Sequence, residues 1–162
     1  AALEAQKEER AETPAAPLLA ALCKDAQALC TKAGLRFEAA VPQGGPAALF
    51  CAKNLLCRAV LNLVENAVSA SPQGGLVSLQ AECSGNFLCL RVLDEGPGFS
   101  PEALRLGTQA FYSGDAARNP AAGHMGLGLT IASEAAQLHG GRLSLSNRPQ
   151  GGACAELCLP LG

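Results

Sequence analysis

Between Leu55 and Ser71 apolar side chains recur at Leu56, Ala59, Val60, Leu63, Ala67 and Val68, in steps of three and four. That is the spacing of an α-helix with one buried stripe, and a chain that holds such a helix must supply a surface to cover it. The other face carries Arg58, Asn62, Glu65, Asn66 and Ser69. Asparagine weakens a helix because its short amide competes for backbone hydrogen bonds. Asn62 and Asn66, one turn apart in mid-helix, are therefore either a solvated face or a functional pair. In the second case the chemistry is legible, since an amide oxygen is a ligand for a hard cation such as Mg²⁺, which keeps most of its waters and bridges to phosphates.

The cover for the stripe is found on both sides of it. Leu18, Leu19, Leu22, Ala26 and Leu29 predict a helix from Leu18 to about Ala33, stopped by Gly34. Leu35 to Val41 reads as a strand and Ala47 to Phe50 as a second short one. After Ser71, Leu76–Cys83 and Phe87–Leu93 alternate across the turn Ser84-Gly85-Asn86, the pattern of a hairpin. Ser100-Pro101-Glu102 predicts a short helix, Gly126–His139 a longer one, and 143–146 with Ala153–Leu159 a final hairpin. Helices interleaved with antiparallel hairpins give an α/β two-layer sandwich, a mixed and mostly antiparallel sheet covered on one face by about three helices. Residues 1–13 read as the tail of a preceding helix and a linker, and residues 14–162 as one domain. A charged start without Met is expected of a piece cut from a longer protein.

With 12 basic and 14 acidic residues the net charge is −2, so no basic field is available to a nucleic acid and no polybasic patch to a membrane surface. No apolar run approaches the ~20 residues of a membrane span. The eight cysteines contain no C-x-x-C pair. They are expected to be reduced structural thiols in a cytoplasmic domain, in preference to disulfides or a metal site.

Two glycine clusters leave elements of different kind. Asp94-x-Gly96-x-Gly98 follows a strand, where it is either an ordinary turn or a place for backbone to approach a ligand beside a carboxylate acceptor. Gly123-x-x-Gly126-Leu127-Gly128-Leu129 opens a helix, as a loop end or as an N-terminus that offers free N–H groups to phosphate. Between them, 107–125 is poor in large apolar anchors, as a mobile functional loop would be. A dinucleotide fingerprint is excluded because Pro101 stands where its third glycine would be, and no G-x-x-x-x-G-K-[ST] occurs.

Taken in order, Asn62-Leu-x-x-Asn66-Ala, Asp94-x-Gly96-x-Gly98, Phe111-Tyr112, Gly123-x-x-Gly126-x-Gly128-Leu129 and Leu138-His139-Gly140-Gly141 closely resemble the catalytic ATP-binding domain of bacterial sensor histidine kinases. These belong to the gyrase, chaperone, kinase and mismatch-repair ATPase superfamily with the Bergerat fold. The resemblance implies that ATP and Mg²⁺ are bound. It makes Asn66 the magnesium-binding asparagine, with Asn62 one turn before it, and Asp94 the acceptor for the adenine amino group. Gly96 and Gly98 would line the adenine pocket, and Phe111 and Tyr112 would precede a lid. Gly123, Gly126, Leu127, Gly128 and Leu129 would meet the triphosphate. The implied partners are a histidine-bearing dimerisation domain of the same full-length protein and, downstream, a response regulator, with neither nucleic acid nor direct membrane contact.

The chain also departs from the family. Ser69 stands where many members carry Lys or Arg, Ala70 where an aromatic is common, and Ala153 where a Thr usually ends the last glycine box. Arg118 is a candidate substitute cation or simply a solvated loop charge. These departures leave room for a nucleotide-binding pseudokinase module. A hydrolase or anti-sigma serine kinase of the superfamily is disfavoured, because such relatives resemble one another in carrying Glu where this chain has Asn62.

Overall fold

The computed structural model describes residues 8–42, 44–107 and 123–161. The strands are β1 (Ala11–Pro14), β2 (Arg36–Ala40), β3 (Ala48–Cys51), β4 (Leu76–Ser84), β5 (Phe87–Leu93), β6 (Arg142–Asn147) and β7 (Ala153–Pro160). The helices are α1 (Ala15–Lys32), α2 (Lys53–Ala70), α3 (Pro101–Gly107) and α4 (Gly123–Leu138). Five strands form one sheet in the order β2-β4-β5-β7-β6, in which only the β2–β4 pair is parallel. This is the mixed, mostly antiparallel α/β sandwich that the patterning predicts.

Alternation decides which face of the sheet is covered. Val77, Leu79 and Ala81 of β4, Leu88, Leu90 and Val92 of β5, and Ala155, Leu157 and Leu159 of β7 point into one core with the stripes of α1, α2 and α4. Helix α2 lies in the middle of that layer and touches both α1 and α4. Its stripe of Leu55, Leu56, Ala59, Val60, Leu63, Val64 and Ala67 is wholly buried. At about 25 cal/mol per Å² of apolar surface removed from water, this is the main force that fixes the helix against the sheet. The far face of the sheet carries Gln80, Glu82, Arg91, Cys154 and Glu156, with Arg91 bonded to both Glu82 and Glu156.

Three features differ from the sequence reading. Ala11–Pro14, expected to be helix tail and linker, forms a strand antiparallel to β3, so the domain boundary expected after residue 13 falls inside β1. Helix α4 begins at Gly123, three residues earlier than the periodicity suggests, because Gly123-His124-Met125 opens on a glycine and holds a single large apolar residue, too little to show a helical period. The thiols are not all free: Cys89 and Cys158 are joined, as register partners on β5 and β7 that a sequence separation of 69 conceals. Cys23, Cys30, Cys51, Cys57, Cys83 and Cys154 are free. Burial pushes up the thiols of Cys23, Cys30, Cys51, Cys57 and Cys154 and so keeps them protonated. Among the described residues no helix is long and apolar enough to cross a membrane.

Candidate functional site

A pocket opens between α2 and the ends of β5 and β7, lined by Leu63, Asn66, Ala70, Asp94, Gly98 and Leu129 among others. Asn66 is delivered by α2, whose buried stripe fixes the rotation of the helix, and Asp94 by the end of β5. Asn66 Nδ2 is buried and meets no partner among the described residues. An unpaired buried polar group costs about 1–3 kcal/mol. A helix that keeps one facing a pocket is built for a polar ligand. Rotation of the terminal torsion exchanges the amide nitrogen and oxygen, so the side chain can present a donor or, to a cation, an acceptor. The residue fits a hard-cation site.

Asp94 is only 5% exposed. Burial raises its carboxyl above the ordinary range, and the N–H groups of Gly96 and Ala153 and the charge of Arg148 counter part of that rise. Both N–H groups donate to the same oxygen, Oδ1, at 2.8 Å from Gly96 and 3.2 Å from Ala153. Among the described residues no hydrogen bond falls on Oδ2, which leaves that oxygen to accept from a ligand amine. Gly96 is required by closeness: a Cβ there would lie 2.5 Å from the carbonyl oxygen of Ala70.

Residues that the sequence reading treats as a hairpin turn hold Asp94 in place. Arg148 Nη1 donates to the Asp94 carbonyl at 2.8 Å, and the Asp94 N–H donates to the Ala153 carbonyl at 3.0 Å. Gly152, at φ +105°, passes so close that a Cβ would stand 2.0 Å from the Asp94 carbonyl oxygen. Asn147 Oδ1 accepts from the Phe99 N–H at 2.7 Å while its Nδ2 donates to the Phe99 carbonyl at 3.0 Å, pinning the loop that carries Gly96 and Gly98. The only sequence signal for this clamp is Asn147-Arg148 followed by Gly151-Gly152, which also reads as an ordinary turn.

The structure thus brings Asn66, Asp94, Gly98 and Leu129 together, with Gly96 bonded to the carboxylate. Asn62 is half-buried one turn from Asn66, and Glu65 is exposed; neither lines the pocket. Gly123, Gly126, Leu127 and Gly128 form the first turns of α4, which has no acidic residue in its first turn to repel phosphate. Phe111, Tyr112, Arg118 and most of the segment expected as a lid lie outside the described residues. His139, near the end of α4, is buried. Its Nε2 accepts from the Ala52 N–H at 2.9 Å and its Nδ1 lies 2.6 Å from the Ala135 carbonyl oxygen, so it joins α4 to the start of α2.

A model of the family described as histidine kinase-, DNA gyrase B- and HSP90-like ATPase matches residues 51–162. The sensor histidine kinase SpaK of Bacillus subtilis is 45% identical over 107 residues, 66% of this chain and 23% of SpaK. The sensor protein PfeS of Pseudomonas aeruginosa is 36% identical over 163 residues, 94% of this chain and 34% of PfeS. Full-length ShkA, solved in complex with AMPPNP, superposes on 94% of this chain with a TM-score of 0.76 at 25% identity, through 31% of its own length. This chain therefore spans only 23% and 34% of the two curated relatives.

Proposed function

The chain belongs to the histidine kinase-, DNA gyrase B- and HSP90-like ATPase family, where it stands with the ATP-binding catalytic domains of sensor histidine kinases; we propose that it binds ATP with Mg²⁺ and moves the γ-phosphate to a histidine on a separate dimerisation domain, for relay to a response regulator. The observation that carries the reading is one pocket holding a buried carboxylate with a free oxygen and a buried amide without a partner.

Each residue has a separable task. Asp94 Oδ2 accepts the exocyclic amine of adenine, while Oδ1 stays fixed by the Gly96 and Ala153 N–H groups. Gly98 and Leu129 line the walls, and the N-terminus of α4, which opens at Gly123, offers its unpaired first-turn N–H groups to the phosphates, with Gly126, Leu127 and Gly128 following on the same turns. Asn66 would hold the metal, with Asn62 beside it on the same helix. Magnesium, when bound, neutralises phosphate charge and so favours phosphoryl transfer, for which the protein supplies mainly positioning and charge stabilisation. Phe111 and Tyr112 would contribute to nucleotide binding.

The test is titration calorimetry with AMPPNP, with and without Mg²⁺. Asp94→Asn should abolish binding in both conditions, because an amide does not replace a charged acceptor. Asn66→Ala should remove only the Mg²⁺-dependent part. Unchanged affinity in Asp94→Asn would overturn the assignment.

A further inference from the structure

We propose that Cys89 and Cys158 are a reversible thiol–disulfide site on the uncovered face of the sheet, opened by small thiols that carry a carboxylate. The two residues face each other on neighbouring strands with Cα atoms 4.1 Å apart, the close approach of a non-hydrogen-bonded antiparallel pair. Their sulfurs meet without backbone movement. The other six cysteines are free, so the bond is a property of this position and not of a disulfide framework.

Access and recognition are built beside the pair. Cys89 and Cys158 are 6% and 3% exposed, yet both line a pocket whose walls include Phe87, Gly140, Gly141 and Arg142. Phe87 is 45% exposed and offers a ring to an aliphatic stem; Arg142, also exposed, offers a guanidinium to a carboxylate. A domain that uses ATP works among reducing thiols, where disulfides are typically transient and redox-sensing. That last step rests on the ATP reading, whereas the geometry does not. The two sulfurs and a Glu156 oxygen lie within 4.8 Å of one another, but Glu156 is paired with Arg91, whose charge opposes a metal cation.

The exchange balances in two steps. A thiolate attacks one cysteine sulfur, the Cys89–Cys158 bond breaks, and the other cysteine leaves as a thiolate. A second thiolate then attacks the incoming group's sulfur in the mixed disulfide, which frees the second cysteine and forms the small disulfide. The two protons of the small thiols finish on Cys89 and Cys158, and two electrons have passed to the protein. The bond ties β5 to β7, with four ladder pairs between it and Asp94 and the Ala153 N–H that holds it.

The experiment equilibrates the folded domain, without nucleotide, in graded ratios of reduced and oxidised glutathione, quenches in acid, alkylates after unfolding and maps peptides by mass. Cys89–Cys158 should pass completely from bonded to free in one two-electron transition while the other six cysteines stay free, and the melting temperature should fall with the reduced fraction. Arg142→Ala should slow opening by glutathione and leave opening by the neutral 2-mercaptoethanol unchanged. A bond that never forms, or that resists reduction until the protein unfolds, overturns the proposal. Equal slowing by both thiols overturns the carboxylate recognition. Zinc bound one to one by the reduced protein, and lost in Cys158→Ser, replaces it with a metal site. None of these readouts depends on ATP binding, so either reading can fail alone.

Discussion

At Asp94, the proposed function and stability pull in opposite directions. Burial raises this carboxyl above its unfolded value of 3.8. For an acid raised on folding, the stabilising contribution is full below the unfolded pKa and is lost as pH rises through the folded one. At neutral pH the ionised side chain therefore weighs against the nucleotide-free fold. Asp94→Asn, whose Oδ1 can still accept from Gly96 and Ala153, should melt higher than wild type at pH 7 while losing AMPPNP binding. Each kcal/mol gained is worth about 2–4 °C in a domain of this size. The gain should shrink toward pH 4, which calorimetry over a pH series would check; an unchanged or lower melting point at pH 7 would mean that the carboxylate is fully compensated. Gly152→Ala should do the reverse. Its Cβ would meet the Asp94 carbonyl and force an L residue to φ +105°, at a cost of roughly 2 kcal/mol or more in urea unfolding, with weaker nucleotide binding. Asn66, Asp94 and Gly98 were legible in sequence because their spacing is local and chemically distinctive. Asn147 and Arg148 were not, because their task is set by a contact about 50 residues away.

Among the elements, α2 carries the site yet has no cap of its own. Its N-cap is Ala52, which makes no side-chain cap bond. The need is met from a distance: Glu8 accepts from the Asn54 N–H at 3.0 Å through Oε2 and from the Leu55 N–H at 2.9 Å through Oε1, while His139 accepts from Ala52. A carboxylate also suits the positive end of the helix. Glu8→Ala should cost about 1–2 kcal/mol in urea unfolding, and Glu8→Gln should lose only part of that, since one amide oxygen can still accept. Equal stability of Glu8→Ala and wild type would reduce the contact to a surface accident. The same geometry explains why β1 escaped the sequence reading. Ala11-Glu12-Thr13-Pro14 is short, ends in proline and has no alternating apolar face, and it is a strand only because β3 lies beside it with Phe50 under the Arg10 guanidinium. The hairpin β4–β5 was visible for the opposite reason, since turn and alternation lie within one window of sequence.

For the whole molecule the decisive question is where the phosphate goes after ATP is bound. A hydrolase of this architecture needs a base near the asparagine proposed to hold the metal, so as to polarise water. The residue one turn before Asn66 is Asn62, an amide that takes no proton. Glu65, the nearest carboxylate in sequence, is exposed and outside the pocket. Residues 1–20 contain no histidine; of the chain's two, His139 has both ring nitrogens committed to backbone groups, and the side chain of His124 lies outside what the structure describes. The domain alone should therefore bind ATP and release phosphate very slowly, with Glu65→Gln indistinguishable from wild type. Asn62→Glu should accelerate release by up to about 10²-fold, the lower range for a positioned general base. Transfer should appear only when a dimeric helical partner presents a histidine, measured as acid-labile phosphate on that partner. Brisk hydrolysis by the wild-type domain that disappears in Glu65→Gln would identify Glu65 as a working base and make the molecule an ATPase, with Asp94 and Asn66 keeping their places at the nucleotide.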